Sequence, residues 1–180
     1  MKEDLKEEIV LVEGVTAQID NNLLKIKGPK GEVERNFLHP KLNIKVENNK
    51  IILSVSKATK TEKKILGSFN SHIKNMIAGV QKLFEYKIKI CSGHFPMNVS
   101  VSGNELVIKN FLGESVPRKV KLSKGAEVKV NGNEIEISSL NKEIAGQMAA
   151  KIESSCRITN RDLRIFQDGC YIIHKAGKDL

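Results

Sequence analysis

The side chains with the widest chemical reach in this 180-residue sequence are three cysteines and four histidines. Cys91-x-x-His94 and Cys170-x-x-x-His174 together would offer two sulfurs and two imidazoles, the donor set of a tetrahedral zinc site. Zinc ligands are normally spaced C-x-x-C and H-x3–5-H, and this mixed order fits a plainer assignment. Cys91 closes an apolar strand, His94 sits in the turn Ser-Gly-His-Phe-Pro, and Cys170 fills an aliphatic position. Asp168 beside a histidine would make a dyad, yet no nucleophile or oxyanion loop accompanies it. The sequence also has no Walker loop and no GxGxxG. The expectation is therefore a protein that is not an enzyme and needs no cofactor or metal.

Charge is the stronger signal. Thirty Lys and Arg against 21 Asp and Glu leave a net +9 and a pI near 9.4, which points to a polyanionic partner. Aromatic residues make up only 4%, with no Trp, so a binder that stacks single strands on rings is disfavoured. Three basic groups stand out. Lys57, Lys60, Lys63 and Lys64 read equally well as phosphate contacts and as the solvated start of a helix, where cations oppose the helix dipole. Lys87 and Lys89 alternate with Tyr86, Ile88 and Ile90, so a strand there would show one basic face, unless that face is simply wet. Arg157, Arg161 and Arg164 are the best candidates, because the planar guanidinium meets phosphate oxygens two at a time.

No stretch reaches the roughly 20 apolar residues of a membrane helix. The opening MKEDLKEEIVLVEG lacks a basic n-region followed by a long apolar h-region. An odd number of cysteines without a CxxC pair suggests reduced thiols. A soluble cytosolic protein is expected, with neither a membrane nor a small-molecule substrate as partner.

The elements that must carry these residues form a duplication. Asn22-Leu23-Leu24-Lys25-Ile26-Lys27-Gly28-Pro29-Lys30-Gly31-Glu32 recurs, at an offset of 82, as Asn104-Glu105-Leu106-Val107-Ile108-Lys109-Asn110-Phe111-Leu112-Gly113-Glu114. Ile44-Lys45-Val46 and Ile51-Ile52-Leu53 recur as Val128-Lys129-Val130 and Ile135-Glu136-Ile137 at an offset of 84, so one loop should have gained two residues. Val15, Ala17, Ile19 and then Val99, Val101 alternate with polar residues as half-buried strands do. DNN, ENNK, SGN and NGN fall between such runs and predict hairpins, and KGPKGE predicts a turn with Pro at its second position. Gly31, Gly113 and Gly169 read as turn positions needing positive φ. Thr59 and Glu62 have capping-box spacing ahead of Ile65, Phe69, Ile73 and Met76. Asn141 caps a second helix that carries Ile144, Met148 and Ile152. The expected architecture is α+β in two tandem domains, 1–83 and 84–180, each a mostly antiparallel sheet packed on one helix. The halves carry similar charge, 15 basic against 10 acidic and 15 against 11. Only the second half continues past its helix, into a segment over 157–178 with Arg157, Arg161, Arg164, Lys175 and Lys178 against Asp162 and Asp168.

The strings KGPKGE (27–32), HIKNMIAGV (72–80), HFPMNV (94–99), KNFLGE (109–114) and RDLRIFQDGCYI (161–172) resemble the large-subunit ribosomal protein six family in its archaeal and eukaryotic branch. The resemblance runs from about Val10 to Lys175, and the last string is similar to the family signature R-x-F-x-D-G-x-Y. HPK after the first arm and the QDG spelling look archaeal. Cys170 departs from the aliphatic residue usual at its position.

The resemblance implies two related α+β domains and a structural role in the large (50S) subunit. It implies binding of 23S rRNA near the subunit interface, at the base of the factor-binding stalk and near the sarcin–ricin region. It further implies a place on the tRNA-binding side of the peptidyl transferase centre, among neighbouring large-subunit proteins, with the second domain carrying most contacts. The candidate RNA-binding residues are Arg157, Asn160, Arg161, Arg164, Lys175, Lys178, Lys87, Lys89, His94, Lys109 and Arg118. Recognition should be of backbone, shape and 2′-hydroxyls, with Phe95 and Tyr171 assigned to core packing rather than to a flipped base. A free-standing RNA-binding regulator and a zinc-dependent enzyme are the two competing readings.

Overall fold

The computed structural model describes residues 3–47 and 49–180. The chain divides into two compact units, up to Leu83 and from Phe84. The first runs β1 (Glu3–Val10), β2 (Thr16–Asp20), β3 (Leu23–Gly28), β4 (Gly31–Asn36), β5 (Leu42–Glu47), β6 (Lys50–Ala58) and helix α1 (Lys60–Gln81). The second runs β7 (Phe84–Cys91), β8 (Asn98–Ser102), β9 (Glu105–Lys109), β10 (Arg118–Lys121), β11 (Ala126–Asn131), β12 (Glu134–Ser139), helix α2 (Lys142–Ser155), β13 (Gly169–Lys175) and β14 (Lys178–Asp179).

Period-two patterning makes the strands. In β3, Leu24 and Ile26 are fully buried and their neighbours are not, and in β9 Leu106 and Ile108 repeat this at the same offset. The predicted hairpins close on residues that tolerate a left-handed backbone: Asn21 (φ 56°), Gly103 (φ 59°) and Gly132 (φ 59°). Each unit holds two sheets, β1-β6-β5 with β2-β3-β4 in the first and β7-β12-β11 with β8-β9-β10 in the second, all pairs antiparallel. The duplication reaches single hydrogen bonds: Phe37 N–H donates to Asn22 O (2.8 Å) and Leu122 N–H to Asn104 O (2.9 Å). This is the α+β repeat that the sequence leads one to expect, with each domain's sheet divided in two.

The loop arithmetic needs correction. Val33 lies opposite Ile26, whereas Arg118 lies opposite Ile108, 85 residues further on. The turn between β9 and β10 has therefore gained three residues, and the following connection returns one. KGPKGE is a tight turn over Pro29 and Lys30. Its counterpart detours through a 3-10 turn at Phe111–Gly113, with Asn110 (φ 60°), Leu112 (φ 48°) and Gly113 (φ 80°) left-handed. The detour turns the Phe111 ring inward, where it is 1% exposed.

Helix α1 begins on the predicted capping box, with Thr59 N–H donating to the Glu62 carboxylate (2.9 Å). The Thr59 hydroxyl, the Lys41 ammonium and backbone donors hold Glu62 down to about 2. Its buried face is Leu66, Ile73, Met76, Ile77 and Val80, with Ile65 and Phe69 at the margin. The β3–β4 turn presses on the end of this helix. A Cβ at Gly28 would meet Val80 side-chain atoms at 2.8 and 2.9 Å, and Lys30 N–H caps Val80 O at 3.0 Å. Asn141 caps α2 by accepting from Glu143 N–H (2.9 Å). Met148 and Ile152 then join Ile88, Leu106, Ile108, Ile135 and Ile137 in the second core. No helix among the described residues is long and apolar enough to cross a membrane.

The extension that only the second half possesses becomes sheet. β13 pairs antiparallel with the remaining edge of β7 and carries β14, giving the order β11-β12-β7-β13-β14. The segment 156–168 spans from the end of α2 to this added strand.

Candidate nucleic-acid interface

Residues 157–167 make a short arch that exposes its arginines. Asp162 organises it: its carbonyl accepts from Ile165 N–H (3.1 Å) and Phe166 N–H (2.9 Å), and its carboxylate accepts from Arg164 N–H (2.9 Å). The Arg164 guanidinium returns to the same carboxylate (2.7 Å) yet remains 89% exposed. The pair holds the arginine above its ordinary value and the aspartate below its own, through the hydrogen bond between them. Arg161 lies over the Phe166 ring (4.8 Å), and that ring stacks on His94 (centroids 4.6 Å, 23° between planes). Arg157 and Asn160 are exposed, the latter left-handed at φ 58°.

Asp168 fastens the arch to the Ser92–His94 turn. Its carboxylate is 2% exposed and accepts from Gly93 N–H (2.6 Å), His94 N–H (3.0 Å) and the His94 ring Nδ1–H (2.5 Å). Burial alone would push this carboxyl up. The His94 backbone and ring and the Gly93 N–H outweigh it and hold the group below its ordinary value. His94, predicted as an RNA contact, thus has one ring nitrogen committed to the fold and one face on Phe166.

Arg118 is built into the scaffold. Its guanidinium pairs with Glu114 (2.6 and 2.8 Å), donates to Ser155 O (2.6 Å) at the end of α2, and lies over the Phe111 ring at 4.1 Å. Lys87 and Lys89 do point away from the core, but the expectation of one basic face needs correction. Glu136 stands opposite Lys87, with the side chains 3.3 Å apart, and Glu134 opposite Lys89. The neighbouring strand β12 brings carboxylates that the sequence of β7 alone cannot reveal. Lys109 is exposed at the end of β9, and Lys175 and Lys178 face each other across the last hairpin. Like charges directly opposite repel. Lys57, Lys60, Lys63 and Lys64, in the first unit, are all exposed.

Phe95 and Tyr171 are not core residues: they are 47% and 42% exposed. In β13 Cys170 and Ile172 face inward, and strict alternation turns Tyr171 out. That alternation, readable in GCYI, was the signal for it. Phe95 sits in an irregular turn with no period to follow. Tyr171 borders two clefts, of about 680 and 530 Å³, whose linings share no other residue. The Cys/His zinc set does not converge. His94 is held by Asp168, His174 by Asp179 (2.6 Å), and Cys170 Sγ lies 3.5 Å from Cys156 Sγ. The contact between the two thiols holds Cys156 down, to about 7, and pushes Cys170 up. Among the described residues no group of three His, Cys, Asp or Glu is placed to hold a metal.

The family model described as Ribosomal protein L6 matches this chain twice, over residues 12–83 and 95–169. Three curated relatives carry the name large ribosomal subunit protein uL6. That of Methanosarcina mazei is 45% identical, covering 98% of this chain and 100% of its own length. That of Nanoarchaeum equitans is 44% identical, covering 98% and 96%. That of Methanococcus vannielii is 43% identical, covering 98% and 97%.

Proposed function

This chain belongs to the ribosomal protein L6 family, and from that premise we propose that it is a structural component of the large ribosomal subunit that binds 23S rRNA and stabilises its folded form. The observation that carries the RNA reading is the arch. Three of the chain's five arginines lie within eight residues, all exposed, on a segment that the Asp168 clasp and the Phe166–His94 stack hold in one shape. The guanidinium groups of Arg161 and Arg164, held by Phe166 and Asp162, meet phosphates without paying to be ordered first.

Binding works by neutralising phosphates where rRNA helices converge, with release of condensed counterions as the driving term. Arg157, Arg161 and Arg164 make the leading contacts, with Asn160, Lys175, Lys178 and Lys109 beside them. Lys87, Lys89 and His94 contribute less, because carboxylates stand against them, and Arg118 acts by holding the end of α2 under the arch. The site on the particle is near the subunit interface, at the base of the factor-binding stalk and toward the tRNA side of the peptidyl transferase centre. Neighbouring large-subunit proteins and the cytoplasmic ribosome complete the setting. The role is architectural and not enzymatic.

The test is salt-dependent binding of protein-free large-subunit rRNA. Replacing Arg157, Arg161 and Arg164 together with Ala should weaken binding and reduce the slope of log K against log salt by about 0.7–0.9 per lost phosphate contact. An unchanged slope refutes the assignment to the arch.

A further inference from the structure

The arch frames something the arginines do not need. Tyr171 is held as a flat, half-open surface: a Cβ built on Gly169 would meet two of its ring carbons and its hydroxyl oxygen at 3.3 Å, and that hydroxyl donates to Asp168 O at 3.4 Å. One side of the ring therefore lies against bare backbone and its orientation is set, while the residue as a whole stays 42% exposed. It faces a cleft of about 680 Å³ between the Ser92–His94 turn and the Ile165–Asp168 segment. Ile165, 65% exposed, offers an apolar wall and Gln167 an amide with both donor and acceptor. Lys89 stands directly opposite Tyr171 across the strand pair, and the exposed Arg161 and Arg164 belong to the same arch as Ile165.

An ordered ring with an exposed face, an amide lining the same cleft and exposed arginines on the adjoining arch suit a splayed-out RNA base: stacking, a polar contact and phosphate neutralisation nearby. We propose that this cleft receives one unstacked rRNA base, stacked on the Tyr171 ring. The inference rests on the rRNA-binding reading above and adds a base contact to it. A hydrophobic segment of a neighbouring protein would use Ile165 and the ring, but it would make no use of the exposed arginines on the adjoining arch.

The full chain with Tyr171→Phe or Tyr171→Leu is assayed against protein-free large-subunit rRNA over a range of salt. Stacking of one base predicts near-normal binding for Tyr171→Phe. For Tyr171→Leu it predicts affinity between about 5-fold and about 150-fold weaker with the salt slope unchanged, since a ring releases no counterions. Weaker binding by Tyr171→Leu with a shallower slope would mean that the arch had collapsed, and unchanged affinity would mean that no base is stacked. Either overturns the platform while leaving the rRNA reading intact. Failure of the unsubstituted chain to bind rRNA at all would overturn both.

Discussion

Replacing Asp168 with Asn separates the clasp from the rest of the fold, because the shapes are nearly the same and the charge is gone. One carboxylate oxygen takes both the Gly93 and His94 backbone N–H groups, and the other takes the His94 ring. Asn keeps a carbonyl oxygen for the two backbone donors, so only the charge assistance is lost there. Hydrogen bonds to a charged acceptor contribute about 1.5–3 kcal/mol and neutral ones about 0.5–1.5, a difference of about 1 kcal/mol per bond and about 2 kcal/mol for the pair. The bond to the ring is discounted, since that side chain is 36% exposed. In urea the midpoint should fall by about 1 M for the second unit, and Asp168→Ala should cost more, about 3 kcal/mol.

The pH dependence follows from the direction of the shift. The folded carboxyl titrates below its ordinary value, so the unfolded chain binds more protons on acidification. Stability from the clasp is complete above the ordinary carboxylate range and is lost as pH falls through the folded value. The gap between the native chain and Asp168→Asn should therefore be widest near neutral pH and close in acid. Equal midpoints at neutral pH, or a gap that persists undiminished in acid, would refute this account of how the arch is held.

Gly28→Ala should destabilise the first unit by about 1–3 kcal/mol, since the new methyl would sit within 3 Å of Val80; urea unfolding checks it. Thr59→Ala removes half of the α1 capping box and should cost about 1 kcal/mol by the same assay. Glu62→Gln should abolish the part of the acid sensitivity that arises between the ordinary carboxylate range and the lowered value near 2. Arg118→Ala should lower the melting temperature as well as rRNA affinity, because its guanidinium ties Glu114 and Ser155 together. An affinity loss without any loss of stability would instead make it a direct contact.

Much of the fold was legible because it rests on short-range rules. Alternation in β3 and β9, Asn and Gly at the hairpins, and Thr59, Glu62 and Asn141 at the caps each depend on residues within a few positions of one another. What escaped depends on pairing across the chain. The carboxylates facing Lys87 and Lys89 come from a strand some 47 residues later. Arg118 reads as one more cation until its partners Ser155 and Phe111 are brought beside it. Asp168 was legible as a possible dyad with a histidine, and that pairing exists, but as a clasp between two segments. Within the candidate site the arginines announced themselves by type and clustering. Tyr171 was hidden because low aromatic content argues against base stacking and leaves the ring assigned to the core, whereas the period of β13 turns it outward.

The central claim is best tested by sedimenting cell lysate on sucrose gradients at moderate and at high salt and following this protein through the fractions. The account predicts co-migration with the large subunit at moderate salt and release once salt strips basic proteins from rRNA. A protein that stays at the top of the gradient at moderate salt would contradict it.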